Sequence, residues 1–131
     1  MYIEGEIVSL NDKKVYHFFD RKKHHTNREI QESDHLHIGV DFNIGGCCAT
    51  VFVIENNQPI AVDEFVSHDT QDFVNNLARY SNQLTVYPDA SGSRNTSNAV
   101  SSDIDIIERG GYPVDAPNSN PFVRDRINCF N

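Results

Sequence analysis

The sequence has no apolar run approaching the roughly 20 residues that a membrane-spanning helix requires. Its opening, Met1-Tyr2-Ile3-Glu4-Gly5-Glu6, lacks the basic and apolar regions of a signal peptide. A soluble, cytoplasmic protein with no membrane partner is expected. Cysteine is scarce: Cys47, Cys48 and Cys129 are an odd set, and the first two are adjacent on a strand-like stretch, so they face opposite sides. That excludes a disulfide framework and a zinc motif. Positive charge is scarce too. With 11 Lys and Arg against 19 Asp and Glu, the net charge is -8. This argues against a free-standing, tight, nonspecific DNA binder, because such binding rests on Lys and Arg displacing counterions from phosphates. Any nucleic-acid role is confined to a local surface or borrowed from a partner. No Gly-x-x-x-x-Gly-Lys-Ser/Thr phosphate loop and no internal repeat occurs.

The composition that is present suits a folded chain. At 131 residues there is length for one apolar core but not two, and 38% hydrophobic residues, with eight Phe and five Tyr, supply the material. Residues 1–34 read as an N-terminal hairpin and linker. The apolar runs Ile7-Val8-Ser9-Leu10 and Val15-Tyr16-His17-Phe18-Phe19 are separated by the turn-like Asn11-Asp12-Lys13-Lys14, and Asp20 to Asp34 is a polar surface connector.

Residues 35–131 carry the organised core. In His35-Leu36-His37-Ile38-Gly39-Val40-Asp41-Phe42-Asn43 the even positions are apolar and the odd ones polar or Gly, the alternation of a strand, so Asp41 shares a face with Gly39 and Asn43. Ile44-Gly45-Gly46 supplies a turn, Cys48 to Ile54 a second strand, Glu55-Asn56-Asn57-Gln58 another turn and Ile60 to Val66 a third strand, giving an antiparallel meander. The period then changes. Asp69 or Thr70 can cap a helix whose apolar residues Phe73, Val74, Leu77 and Ala78 recur at helical spacing. Leu84-Thr85-Val86-Tyr87 is a fourth strand ending at Pro88-Asp89, and Ala90 to Asn98 is a loop by composition. Val100, Ile104 and Ile107 mark a second helix stopping at Gly110-Gly111, Tyr112 to Ala116 a fifth strand weakened by Pro113, and Asn120-Pro121 the start of a last helix bearing Phe122, Val123, Ile127 and Phe130.

Three meander strands followed by helix, strand, helix, strand, helix is the element order of an α/β RNase H-like domain: a mixed five-stranded sheet, order 3-2-1-4-5 counted from His35, flanked by helices. In that order the first and fourth strands are neighbours, which brings Asp41 beside Asp89. Two adjacent carboxylates are hard to ionise together unless a cation lies between them, so the pair is a candidate Mg²⁺ or Mn²⁺ site. Such ions suit phosphodiester hydrolysis, where two of them about 4 Å apart activate the attacking water and neutralise the leaving oxygen. Ordinary strand-end acids, with Asn43 and Gly92 marking turns, are the alternative.

Four stretches, His37-Ile38-Gly39-Val40-Asp41-Phe42-Asn43, Ala61-Val62-Asp63-Glu64-Phe65, Val86-Tyr87-Pro88-Asp89-Ala90-Ser91-Gly92, and Asn120-Pro121 with Val123-Arg124-Asp125-Arg126-Ile127-Asn128, together resemble the nuclease domain of tailed-phage terminase large subunits. Residues 1–34 look like the junction that follows the packaging ATPase in these proteins. The resemblance implies an endonuclease that cuts concatemeric double-stranded viral DNA with two Mg²⁺ or Mn²⁺ ions in the host bacterial cytoplasm, partnered by a terminase small subunit and a portal. Asp41 and Asp89 carry over as metal ligands. The family's third acidic ligand lies on a later helix with no counterpart here, so a domain cut short at its C-terminal end, weakly active or inactive alone, is expected. An apolar surface near Val123, Ile127 and Phe130, covered by self-association or a partner, follows from the same departure.

Other residues have weaker standing. Glu64 is a further metal-ligand candidate set against a solvated strand acid. Arg94, with Ser93 beside it, is the better candidate for phosphate contact, ahead of Arg124 and Arg126. Of the six histidines, His35 and His37 share the Asp41 face and are candidates for tuning the site, but no spacing among the six fixes a transition-metal site, and surface or packing roles are their default. Asp41-Phe42-Asn43-Ile44-Gly45-Gly46 also resembles the phosphate loop of sugar kinases and actin-like ATPases, and a noncatalytic prophage remnant or docking module is the remaining alternative.

Overall fold

In chain order the computed structural model contains β1 (Tyr2–Ile3), β2 (Glu6–Ile7), β3 (Leu36–Asn43), β4 (Gly46–Glu55), β5 (Gln58–Ser67), α1 (Thr70–Leu77), β6 (Leu84–Pro88), α2 (Asp103–Arg109) and α3 (Val123–Phe130). The structure describes residues 2–3, 6–7, 15–43, 45–89, 102–117, 119 and 121–130, with 2–3, 6–7 and 130 described by their backbone alone. Expectations placed on the turn at 11–14, the loop 90–98, Val100 and the Asn120 cap lie outside the described residues. The chain divides into two compact units, Met1–His25 with Pro121–Asn131, and Thr26–Asn120.

In the first unit β1 and β2 pair antiparallel, Tyr2 with Ile7 and Ile3 with Glu6. The strand expected over Val15 to Phe19 does not form. The chain turns there instead: the Phe19 N–H donates to the Tyr16 carbonyl at 3.4 Å, and Asp20 opens a further turn, its side chain accepting from the Lys22 N–H at 2.8 Å and its carbonyl from the N–H groups of Lys23 and His24. Phe18 and Phe19 are left exposed. Phe122, just before α3, and Val123 at its start are exposed and Ile127 is half-buried, while the side chain of Phe130 lies outside the described residues.

The second unit is built on a four-stranded sheet of order β5-β4-β3-β6. β5, β4 and β3 form the expected antiparallel meander, and β3 pairs with β6 in parallel. Its two hairpin turns use backbone conformations that favour Gly and Asn. At Gly46 (φ 146) an added Cβ would lie 2.7 Å from the Ser67 carbonyl oxygen, and Asn56 and Asn57 (φ 51 and 61) make the β4–β5 turn. Alternation sorts the side chains. Leu36, Ile38 and Val40 of β3, Cys47, Ala49, Val51 and Val53 of β4, Phe65 of β5, and Leu84 and Val86 of β6 point into one buried core.

Helices close that core. Asp69 caps α1 by accepting from the Asp72 N–H, and the helix buries Phe73, Val74 and Leu77. Ser102 and Asp105 form a reciprocal capping box at the start of α2, which buries Ile107. The Thr70 hydroxyl donates to Asp103 Oδ1 at 2.6 Å, tying α1 to α2. Residues 26–34 are fixed to the same unit by Arg28, whose guanidinium grips Asp34 at 2.6 and 2.9 Å and Glu55 at 2.7 Å.

The fifth strand is where expectation and structure part. Tyr112 to Ala116 contributes an isolated parallel bridge, Val86 with Val114, and not a strand. Val86 donates to the Pro113 carbonyl and accepts from the Asp115 N–H, both at 2.9 Å, but Pro113 has no N–H of its own to extend the ladder.

Candidate functional site

The parallel pairing of β3 with β6 runs in register from Leu36–Leu84 to Val40–Pro88. One step further along each strand are Asp41 and Asp89. Val40 is buried, so Asp41 turns to the opposite, open face, where it is exposed. The alternation, carried one residue past β6, gives half-buried Asp89 the side of Thr85 and Tyr87, which is that same face. Neighbouring strands are about 4.8 Å apart, a spacing at which both carboxylates can reach one cation. The register thus brings two positions 48 residues apart in sequence to neighbouring places, one step past the paired stretch of two parallel strands.

The surroundings suit a hard cation. Asn43 Nδ2 donates to Asp41 Oδ2 at 3.3 Å, steadying the carboxylate and leaving its other oxygen to other partners. On β4 the residue paired with Asp41 is exposed Cys48, and Gly39, two residues before Asp41, presents no side chain. Glu64 shares the open face, since Thr50 pairs with both Gly39 and Glu64, but β4 stands between, so it is two strand spacings or about 10 Å across from β3. That separation sets it at the rim of the carboxylate pair. Among the described residues no three His, Cys, Asp or Glu side chains gather into a group that could hold a metal.

The basic candidates divide. Ser93 and Arg94 lie outside the described residues. Arg124 and Arg126 are exposed on α3 in the other unit, Arg124 with its Nε 3.8 Å from Asp125 Oδ1.

The sequence places His35 and His37 on this face, and the structure adds their partners. His35 Nε2 is 2.8 Å from Thr85 Oγ1, and His37 Nδ1 is 2.8 Å from the Tyr87 hydroxyl. The two imidazole centroids are 4.8 Å apart, and those of His37 and Tyr87 are 5.6 Å apart. Partial burial, and then the neighbouring charge of His35, push the His37 pKa below the usual histidine value. The polar parity of 35 and 37 was visible in the sequence. What revealed the cluster was the strand register, which aligns that pair with the equally spaced Thr85 and Tyr87.

The fold is an α/β unit with a four-stranded mixed open sheet flanked by helices, with Asp41 and Asp89 one step past the in-register pairing of β3 and β6. Comparison of the chain with protein-family models, curated proteins and solved structures finds no match. No helix among the described residues is long and apolar enough to cross a membrane.

Proposed function

We propose that this chain is a metal-dependent endonuclease domain of the RNase H-like kind, similar to the nuclease part of phage terminase large subunits, acting on double-stranded DNA. The observation that carries the reading is the parallel, in-register pairing of β3 with β6, which ends one residue before Asp41 and Asp89 on both strands. The order β5-β4-β3-β6, with Val114 bridging to β6, supports the RNase H-like assignment, its fifth strand being rudimentary.

The donor set fits Mg²⁺ or Mn²⁺, since carboxylate oxygens are the ligands these hard ions prefer. Bound there, such ions supply an activated water and a counter-charge for the leaving oxygen. Asp41 and Asp89 do the holding, and Asn43 orients Asp41. The open sheet face, with Gly39 leaving room beside them, admits a phosphodiester. Two carboxylates hold a cation less firmly than three, and a chain of net charge -8 captures DNA poorly, so the expected cleavage is slow.

Nicking of supercoiled plasmid in Mn²⁺ tests this. Slow nicking by the chain, abolished by Asp41→Asn and by Asp89→Asn, is the expected outcome. Nicking that survives both substitutions, or no cleavage with any divalent metal, would overturn it. The second of those results favours a noncatalytic docking module, a reading supported by the lack of a third ligating side chain at the pair among the described residues.

A further inference from the structure

The imidazole pair on β3 has no part in the proposed nuclease chemistry, yet its arrangement is specific. His35 and His37 lie on the open face, and each ring has one nitrogen hydrogen-bonded to a hydroxyl on the neighbouring strand, Thr85 or Tyr87, at 2.8 Å. When those hydroxyls accept the N–H, the lone pairs of His35 Nδ1 and His37 Nε2 are left available. A histidine that ligates a metal usually anchors its other nitrogen in this way, which fixes both tautomer and ring orientation. Spacing agrees as well. A tetrahedral ion held at about 2.1 Å by one nitrogen from each of two imidazoles leaves the ring centroids about 5 Å apart. Here they are 4.8 Å apart with the planes inclined by 40°, whereas a simple stack would bring the planes near parallel.

We infer that His35 and His37 form a two-imidazole site for a borderline divalent ion of the Zn²⁺ type, separate from the Asp41–Asp89 pair and oriented by Thr85 and Tyr87. Water or an incoming ligand fills the rest of the coordination shell, because no third His, Cys, Asp or Glu joins the pair among the described residues. The ions divide by chemistry, Mg²⁺ or Mn²⁺ to the carboxylates and a nitrogen-preferring ion to the imidazoles.

The test is a Zn²⁺ titration of the ¹⁵N-labelled chain, read at the imidazole nitrogens and repeated in the Asp41→Asn background, so that failure of the carboxylate site and failure of this one are distinguishable. The expected result is that the ring nitrogens of His35 and His37 respond together, ahead of His17, His24, His25 and His68, and unchanged by Asp41→Asn. His37→Gln should abolish the response of His35, and His35→Gln that of His37. Both side chains lie on the face away from the core, so preserved backbone spectra are the control for folding. The double substitution Thr85→Val and Tyr87→Phe should weaken binding by roughly 10-fold. Zn²⁺ appearing first at His24 and His25, or a His35 response indifferent to His37→Gln, would overturn the inference.

Discussion

The two faces of one sheet divide the labour of this protein. On β3 the even residues Leu36, Ile38 and Val40 are buried, while His35 just before the strand and the odd residues His37, Gly39, Asp41 and Asn43 on it turn to the other face. β6 repeats the division, with Leu84, Val86 and Pro88 inside and Thr85 and Tyr87 outside. The parallel register aligns like with like. One face is therefore packed and the other turned away from the core, and a substitution should report on one or the other.

The largest effect is expected on the packed side. Phe73 is fully buried on α1 and stacks on Phe65 with centroids 5.8 Å apart. Phe73→Ala should cost about 3–5 kcal/mol in chemical denaturation, from lost transfer energy plus the cavity left behind. Gly46, where β4 begins, comes next. Its positive φ and the 2.7 Å approach of the Ser67 carbonyl make Gly46→Ala unfavourable by about 1–3 kcal/mol, read as a lowered Tm. A substitution on the open face should do little: Val66→Thr, at a residue 74% exposed, is expected to change stability by no more than about 0.5 kcal/mol. A loss there comparable to that of Phe73→Ala would break the comparison.

Acid sharpens it from the edge of the sheet unit. Hydrogen bonds from the Arg28 guanidinium, then from the Gln31 N–H, hold the Asp34 carboxyl down at about 2 against an ordinary 3.8. A carboxyl depressed on folding contributes stability that is full above its unfolded value and is lost as pH falls through the folded one. Stability should therefore drop between about pH 4 and pH 2, and Asp34→Asn should flatten that part of the profile while lowering stability at neutral pH. Thermal melting across this range measures both.

Much of the sheet unit is legible in the sequence because its signals are local. The odd–even pattern from His35 to Asn43, the Gly45-Gly46 and Asn56-Asn57 turns, and the helical spacing of Phe73, Val74 and Leu77 each decide their own element. Two expectations failed where local pattern met a backbone requirement: Val15 to Phe19 is apolar enough for a strand but turns, with the Phe19 N–H bonded to the Tyr16 carbonyl, and Tyr112 to Ala116 lacks the Pro113 donor a ladder needs. The Asp41–Asp89 juxtaposition was legible only through a topology, of which the parallel β3–β6 adjacency is the part the structure shows. The shared face of His35, His37 and Asp41 was legible from strand alternation, but the hydroxyl partners were not, because the contacts of His35 with Thr85 and of His37 with Tyr87 each span 50 positions and depend on a register that no local pattern encodes.

The central claim is that the open face joins Asp41 and Asp89 in one cation site, and paramagnetic broadening by Mn²⁺ addresses it most directly. On titrating Mn²⁺ into the labelled chain, the backbone resonances around Asp41 and Asp89 should broaden first and together. Asp41→Asn should remove the effect at both places without altering the fold. Broadening centred on His24 and His25, or broadening at Asp89 that persists unchanged in Asp41→Asn, would contradict a shared site and with it the nuclease proposal.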